Sequence, residues 1–162
     1  MNWNSWSWAL LALMIWREAR GEGIDGMRAV AHVAWNRAGK KEQALATVIT
    51  KDAQFTSINP YKKTYDEQLD VWPSPLDQRF QEAMTIAHEV IKLVSVDPTN
   101  GATYYWNPKA SRKGEWFDRT IATIEEPLKP RAGFEVVLAQ ANHVFYREAA
   151  IRRSDVTMDH FG

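Results

Sequence analysis

The chain has 162 residues, of which 45% are apolar and 25% are charged. This length and composition are typical of one globular domain and exclude a disordered or low-complexity protein. Twenty basic and twenty acidic residues give a formal net charge of zero, which argues against a nucleic acid partner, because such binding needs a basic surface. Cysteine is absent, and the four histidines have no metal-binding spacing. We therefore predict no disulfide, no metal ion and no other cofactor.

The first predicted element is an apolar helix over Trp8–Trp16. No Lys or Arg precedes this run and no small-residue cleavage site follows it, so we predict no signal peptide. The run is too short to cross a bilayer, so we also predict no stable membrane insertion. Ser5 or Ser7 is expected to cap the helix, and Gly21 and Gly23 to end it. Because nearly every side of the helix is apolar, it should lie inside the protein.

A second amphipathic helix is predicted from Asp25, as its cap, to Arg37. A shorter helical turn is predicted over Ala44–Ile49. The proline-containing segment Ala53–Pro75 is expected to be a long loop, a class that is often functional. The second helix has an apolar face, formed by Met27, Val30, Ala31 and Ala34. Its opposite face is polar and is formed by Arg28, His32 and Asn36.

The clearest helical pattern follows that loop. Ser74 as cap and Pro75 at the first position predict a helix. Its apolar stripe should continue from Leu76 to Val94 at helical spacing. The turn-forming residues of the segment 97–101 then interrupt the chain.

The last third of the chain contains shorter elements. The aromatic stretch Ala102–Trp106 alternates as a half-buried strand would. An apolar run follows over Phe134–Ala139, and the final segment, ending in Arg152 and Arg153, has a helical pattern. These elements predict a mainly α fold, of α+β type with a small strand element.

Glu18 is the residue that a purely structural role explains least well. It ends an otherwise apolar helix, and apolar surroundings favour the protonated form of a carboxyl group, which a general acid needs near neutral pH. The alternative is a structural ion pair with Arg17, Arg20 or Arg37. Glu22 would share the face of Glu18 if the helix continued. It is either a second functional carboxylate or a solvated or arginine-paired residue.

Four motifs occur in order along the chain. They are residues 18–23 (EARGEG) continued by 26–33 (GMRAVAHV) and 36–37 (NR), residues 54–56 (QFT), residues 97–105 (DPTNGATYY) with Asn107 and Pro108, and residues 142–146 (NHVFY). Each motif alone is weak, but their order across the chain is specific. Together they resemble the spore-cortex-lytic and cell wall hydrolase family, which belongs to the lysozyme-like superfamily.

The resemblance covers the chain from about Leu10 to Tyr146. It implies a lysozyme-like, mainly helical fold and cleavage of the glycan strands of peptidoglycan, with Glu18 in the place of the family's catalytic glutamate. We therefore predict one catalytic domain over residues 1–162 without a separate wall-binding domain. Two departures concern loops near the site: Ala141 stands where the family usually has glycine, and Ile121–Gly133 has the character of an insertion.

Cleavage of the MurNAc–GlcNAc β-1,4 bond needs an acid that protonates the leaving oxygen, and hydrolysis usually needs a second carboxylate. Glu22 is the first candidate for that second group. A single glutamate suffices if it then takes a proton from the sugar's own 6-hydroxyl, which gives a 1,6-anhydro product. Because no motif marks a second carboxylate, we favour this lytic transglycosylase reaction over a lysozyme-type muramidase. The other carboxylates that stay open are Asp66, Asp97, Glu115 and Asp118.

Residues of the later motifs are candidates for substrate binding. Gln54 and Thr56 can hydrogen-bond N-acetyl or hydroxyl groups, or they are simply solvated. Either Tyr104 or Tyr105 is expected to face the site, while Trp106 packs in the core. His143 either positions Glu18 or a sugar, or is a satisfied buried histidine. The candidates are Gln54, Phe55, Thr56, Tyr104, Tyr105, Asn107 and His143.

The expected partner is the peptidoglycan glycan strand, and we expect a monomer. A chain without an export signal matches a bacteriophage endolysin for a Gram-negative host, which stays in the cytoplasm of the host bacterium until a holin releases it to the cell wall. A chromosomal prophage lysis gene or a phage-tail lysin would look the same. Two other classes stay open. One is a non-catalytic glycan-binding module that uses the aromatic residues, and the other is a helical structural protein in which those residues are all core.

Overall fold

The structure is a computed structural model, and it describes residues 3–51, 54–59 and 66–150. Its α-helices are α1 (Trp3–Ala19), α2 (Gly23–Arg37), α3 (Glu42–Thr50), α4 (Gln78–Ile91) and α5 (Trp116–Thr120). Its strands are β1 (Tyr104–Trp106), β2 (Phe134–Gln140) and β3 (His143–Glu148). Short 3₁₀ turns span Arg20–Glu22, Glu67–Asp70 and Pro108–Ala110. The fold is mainly α with a small sheet, which confirms the predicted class.

Helix α1 is the centre of the helical core. Leu11, Met14 and Ile15 are fully buried, because α2, α3 and α4 all pack against α1. The predicted burial of this apolar helix is confirmed. Removing its apolar surface from water is the main favourable contribution to folding of this half of the protein.

The predicted starts of the first two helices are wrong. Helix α1 begins at Trp3, so Ser5 and Ser7 lie inside it rather than at its cap. Helix α2 begins at Gly23, so Asp25 lies in its first turn. The two helices are joined only by the short 3₁₀ turn, which leaves no room for a separate capping loop. The acidic side chain in the first turn still complements the helix dipole.

Helix α4 is shorter at both ends than its apolar pattern predicts. Asp77, not Ser74, is its cap, and the Asp77 carboxylate accepts a hydrogen bond of 2.8 Å from the backbone N–H of Phe80. Leu76 and Val94 lie outside the helix and are exposed. The apolar spacing at these ends is therefore coincidental, because neither side chain reaches the core.

The three strands form an antiparallel sheet in the order β1–β3–β2. Tyr105 pairs with Phe145, and Gln140 pairs with His143 across a two-residue turn. Ala141 in that turn has a φ of +52°, a left-handed conformation that glycine adopts more easily and that two-residue hairpin turns require.

The helical pattern predicted for the C-terminal segment is wrong where the structure describes it. Residues 143–148 form β3, the central strand, with Phe145 in the helical core and Val144 and Tyr146 in a second core against α5. Because both faces of this strand are buried, its sequence lacks the polar alternation of a half-exposed strand. Arg152 and Arg153 lie outside the described residues.

Candidate active site

Glu18 lies in the last turn of α1, where the helix leaves the core beside β1. Its Oε2 accepts a hydrogen bond of 2.6 Å from the Tyr105 hydroxyl. Its Oε1 accepts a longer one of 3.3 Å from the backbone N–H of Ser57. The carboxyl group is partly buried, and hydrogen bonds from two different elements fix its orientation.

Tyr105 is the tyrosine that faces Glu18. Its ring contacts Phe55 and His143, with centroid distances of 6.4 and 5.3 Å. Burial, together with the neighbouring Glu18, raises the pKa of the Tyr105 hydroxyl well above its ordinary value. The hydroxyl therefore stays protonated at working pH and donates to the carboxyl group. Tyr104 points to the opposite side of β1, where it contacts the rings of α5.

Residues 54–57 form one wall of the site. Phe55 is buried in the core, whereas Gln54 and Thr56 are exposed. The Thr56 hydroxyl donates to an Asp66 carboxylate oxygen at 2.7 Å. Ser57, which no motif singled out, donates its backbone N–H to Glu18. A backbone donor leaves no trace in side-chain identity, so the sequence carried no signal for it.

Glu22 is engaged with the turn between β2 and β3. Its two carboxylate oxygens accept hydrogen bonds from the backbone N–H and the side-chain amide of Asn142, at 3.1 and 3.3 Å. Its Oε1 also lies 3.8 Å from Nδ1 of His143. A Cβ on Gly26 would lie 2.3 Å from the Cβ of Glu22, so this position has room only for glycine. The arrangement ties the sheet to the start of α2.

His143 lies between the two glutamates. It is 8% exposed, and its ring packs edge-on against Tyr105. Burial lowers its pKa, although the negative charges of Glu22 and Glu18 oppose this effect. His143 is therefore neutral near pH 7. It supports the ring of Tyr105 and, through it, the hydrogen bond to Glu18.

Asn107 has a local structural role. Its Oδ1 accepts hydrogen bonds from the backbone N–H groups of Lys109 and Ala110 and so caps the 3₁₀ turn that follows β1. Trp106 is buried and stacks on Phe117 at 5.6 Å, as predicted for a core residue. The described contacts do not bring Asn107 to Glu18.

The alternative interpretation of Glu18 as a structural ion pair is wrong for the described residues, where no arginine lies within ion-pair distance of it. The Arg17 guanidinium instead donates to the backbone carbonyls of Ser57, Leu69 and Val71. It thereby holds the loop that carries the Ser57 N–H against α1. The other two arginines also donate to carbonyl or amide oxygens.

Two of the remaining carboxylates hold loops together. Burial acts to raise the pKa of Asp97, but the hydrogen bonds that it accepts from Thr99, Gly101 and Asn36 outweigh burial and lower the pKa. Asp118 accepts the backbone N–H groups of Gly114 and Ile124. Glu115 is exposed at the start of α5, where no side-chain capping bond forms.

Asp66 differs from these groups because it lies beside the site. It contacts the Thr56 hydroxyl and accepts the backbone N–H of Gln68 at 2.8 Å. Its negative charge also contributes to the raised pKa of Tyr105. Among the described residues, Asp66 is therefore a third carboxylate, after Glu18 and Glu22, that interacts with residues of the site.

Two buried histidines predict acid-sensitive stability. Burial lowers the pKa of both His32 and His143 in the folded protein, so below the unfolded value of about 6.5 the unfolded chain takes up protons that the folded chain resists. As the pH is lowered, the free energy of unfolding should therefore decrease by up to about 1.4 kcal/mol per pH unit for each histidine. Urea denaturation at pH 7.5 and pH 5.0 measures this loss.

Asp97 does not obscure that measurement. Its lowered pKa affects stability only as the pH falls toward and below the ordinary value of 3.8, outside the interval used. A folded His143→Gln variant should lose less stability than wild type over the same interval. Equal stability of the wild type at both pH values would contradict the prediction.

The described residues contain no group of three His, Asp or Glu side chains that could hold a metal ion. Of the helices that they form, none is long and apolar enough to cross a membrane.

The family model described as Cell Wall Hydrolase matches residues 21–128, which is more than half of the chain. The chain belongs to the cell wall hydrolase family. As a cell wall hydrolase, it is an enzyme that acts on peptidoglycan. The match begins after Glu18 and ends before β2, so the assignment of roles to Glu18 and to the turn at Asn142 depends on the geometry described above. No curated protein matches this cell wall hydrolase.

Comparison with solved structures supports the fold. The cell wall hydrolase is similar to the catalytic domain of the germination-specific lytic transglycosylase SleB from Bacillus anthracis, with a TM-score of 0.58 and 22% sequence identity. The similarity covers 87% of this chain and 93% of the SleB domain. At this identity it shows that the two proteins share a fold.

Proposed function

We propose that this cell wall hydrolase is a lytic transglycosylase that cleaves the MurNAc–GlcNAc β-1,4 bond, with Glu18 as its catalytic residue. The observation that carries the proposal is the placement of the Glu18 carboxyl. It emerges from an apolar helix, it is oriented by the Tyr105 hydroxyl and the Ser57 N–H, and it has no cationic partner within ion-pair distance among the described residues. A carboxyl group held in this way can donate a proton and take one back.

In the proposed reaction, protonated Glu18 donates its proton to the glycosidic oxygen as the bond between that oxygen and C1 of MurNAc breaks. The resulting carboxylate then accepts the proton of the MurNAc 6-hydroxyl. The 6-oxygen forms the new bond to C1, which gives a 1,6-anhydro ring. Glu18 ends protonated as it began, and no water is consumed. The reaction therefore needs one carboxyl group only.

The surroundings of Glu22 favour this reaction over hydrolysis. A hydrolase must place a second carboxylate where it can activate water or attack the sugar directly. Both oxygens of Glu22 already accept hydrogen bonds from Asn142, and its side chain is 11% exposed. Releasing it would break both hydrogen bonds that attach the turn to α2, which is costly. Glu22 thus serves the sheet attachment, and Asp66 is the group that a muramidase mechanism would use instead.

Three residues near Glu18 would bind the sugar or support its binding. Because the Thr56 hydroxyl proton is committed to Asp66, its oxygen is left to accept a hydrogen bond from an N-acetyl N–H or a sugar hydroxyl. The exposed amide of Gln54 can donate to the same substrate. His143 contributes indirectly by supporting the Tyr105 ring.

Digestion of purified peptidoglycan tests whether the protein cleaves glycan strands or only binds them. We expect the turbidity of the wall suspension to fall and soluble fragments to appear that carry sugars still joined to their peptide stems. Chromatography with mass detection identifies these fragments. A protein that sediments with the wall but releases no fragment is a non-catalytic glycan-binding module, and that result contradicts the proposal.

We also propose that the cell wall hydrolase acts as an endolysin that a holin releases to the wall. Addition of the protein to Gram-negative cells should lyse them only after the outer barrier to the wall has been permeabilised. Lysis of intact cells from outside would contradict this part of the proposal.

A further inference from the structure

A cleft beside the proposed catalytic site has a volume of about 230 Å³. It lies where the C-terminal ends of α2 and α3 approach β1. Of its lining residues, only Gln54 also takes part in the proposed binding of the sugar. Its lining residues are Arg37, Val48, Lys51, Gln54, Thr103 and Tyr104.

Arg37 is the main cation of this cleft. Its Nε donates to the backbone carbonyl of Thr103 at 2.6 Å, and its guanidinium also donates to the carbonyl of Gln54 at 3.3 Å. Its guanidinium carbon lies 4.8 Å from the Phe55 ring centroid and 5.8 Å from that of Tyr104. These contacts fix the guanidinium in place, but all of them are with neutral groups.

The positive charge of Arg37 has no carboxylate within ion-pair distance in the part of the chain that the structure describes. A partly buried, rigid guanidinium without an ion-pair partner loses hydration, and the negative charge of Glu18, beyond ion-pair distance, offsets this loss only in part. Its free N–H donors suit a carboxylate, which guanidinium groups bind with two parallel hydrogen bonds. Arg37 therefore offers a prepared site for an anion.

Lys51 adds a second positive charge to the same cleft, and it is exposed. None of the described lining residues is acidic. The apolar part of the lining is formed by Val48 and the ring of Tyr104. The cleft thus combines two cations with a flat apolar wall, a combination that fits a carboxylate carried on an organic chain.

The cleft is close to the reacting carboxyl group. Phe55 separates Arg37 from Tyr105, whose hydroxyl contacts Glu18. A substrate group that enters the cleft therefore lies near the bond that is cut. In peptidoglycan, the peptide stem begins at the lactyl group of MurNAc and carries free carboxylates. Three to four extended stem residues span roughly 10 to 14 Å, which covers the steps of 4.8 and 6.4 Å from Arg37 to the Phe55 ring and from that ring to Tyr105.

We propose that the Arg37–Lys51 cleft binds a carboxylate of the peptide stem, and that this enzyme therefore prefers stem-bearing glycan to bare glycan. The inference rests on the proposed function, because the stem enters the cleft only when the glycan lies across Glu18. It assigns the cleft to substrate selection and gives it no part in the bond-breaking step.

Steady-state kinetics on two substrates test the inference. One substrate is purified peptidoglycan, and the other is the same material after an amidase has removed the stems. The variant is Lys51→Glu, and Lys92→Glu is the control, because Lys92 is also exposed and lies at the end of α4. We expect Lys51→Glu to raise KM about 10-fold on stem-bearing peptidoglycan with little change in kcat. On bare glycan its KM should equal that of wild type.

The outcomes separate the cleft from the catalytic proposal. A wild-type protein that digests neither substrate contradicts the proposed function itself. A wild type that digests both with the same KM, or a Lys51→Glu variant that behaves as wild type on both, overturns the inference alone. Equal KM increases for Lys51→Glu and Lys92→Glu, or an equal increase on both substrates, would show general attraction to an anionic polymer and would also overturn it.

Discussion

Glu18→Gln is expected to abolish digestion of purified peptidoglycan while the protein stays folded. The amide has the shape of the carboxyl group but cannot give up a proton to the leaving oxygen. General acid catalysis typically contributes about 10²- to 10⁴-fold, so the rate of fragment release should fall by a factor of about 100 or more. Retention of more than about a tenth of wild-type activity would remove Glu18 from the acid role.

The folded state should survive this change. The amide oxygen of the Glu18→Gln side chain can still accept the short hydrogen bond from the Tyr105 hydroxyl, and only the longer contact with the Ser57 N–H is then lost. Loss of one such partner costs about 1 kcal/mol, which is small beside the stability of a typical domain. Circular dichroism and urea denaturation establish that the variant is folded before its activity is compared.

Glu22→Gln is the matched variant for the second carboxylate. Its amide oxygen can still accept the backbone N–H of Asn142, so the turn should remain attached to α2. Because the proposed reaction needs only Glu18, this variant should keep most of its activity. If both variants are folded and equally inactive, the mechanism with two carboxylates gains support.

The helical half of the fold was predictable because burial there leaves a periodic pattern. The apolar run of α1 identifies a buried helix from composition alone, and α4 shows its stripe at helical spacing. The helix ends were less predictable, since Leu76 and Val94 continue the spacing without reaching the core. The cap depends on a hydrogen bond that Asp77 makes and Ser74 does not.

The central strand β3, in contrast, could not be predicted from its local sequence pattern. Its residues pack on both faces, so Val144 and Phe145 are buried on opposite sides. A run of this kind has no strand periodicity and is easily taken for a helix. Only the pairing with β1 and β2 fixes its conformation, and such pairing between distant segments is not visible in a local pattern.

The site was predictable where side-chain identity carries the chemistry. Glu18 stood out as a carboxyl group at the end of an apolar helix, and a tyrosine of the aromatic stretch was expected to face it. The Ser57 N–H and the attachment of its loop by Arg17 were not predictable, because they use backbone atoms. Asn107 was predicted to bind substrate, but its side chain caps a turn.

The central claim concerns what replaces the broken glycosidic bond. A hydrolase adds water across the bond and leaves a reducing MurNAc end. The proposed reaction of Glu18 closes the 6-oxygen onto C1 and leaves a 1,6-anhydro end. After borohydride treatment, a reduced end is heavier than an anhydro end by the mass of water plus two hydrogens, about 20 Da. The two products are therefore separable by mass.

Mass spectrometry of borohydride-treated muropeptides is the most direct test of the account. Digests made by the wild-type protein should be dominated by 1,6-anhydro-muramic ends that borohydride leaves unchanged. The Glu18→Gln protein should produce neither kind of end above background. Digests dominated by reducible MurNAc ends would contradict the transglycosylase mechanism, and Asp66 and Glu22 would then be the carboxylates to test as activators of water.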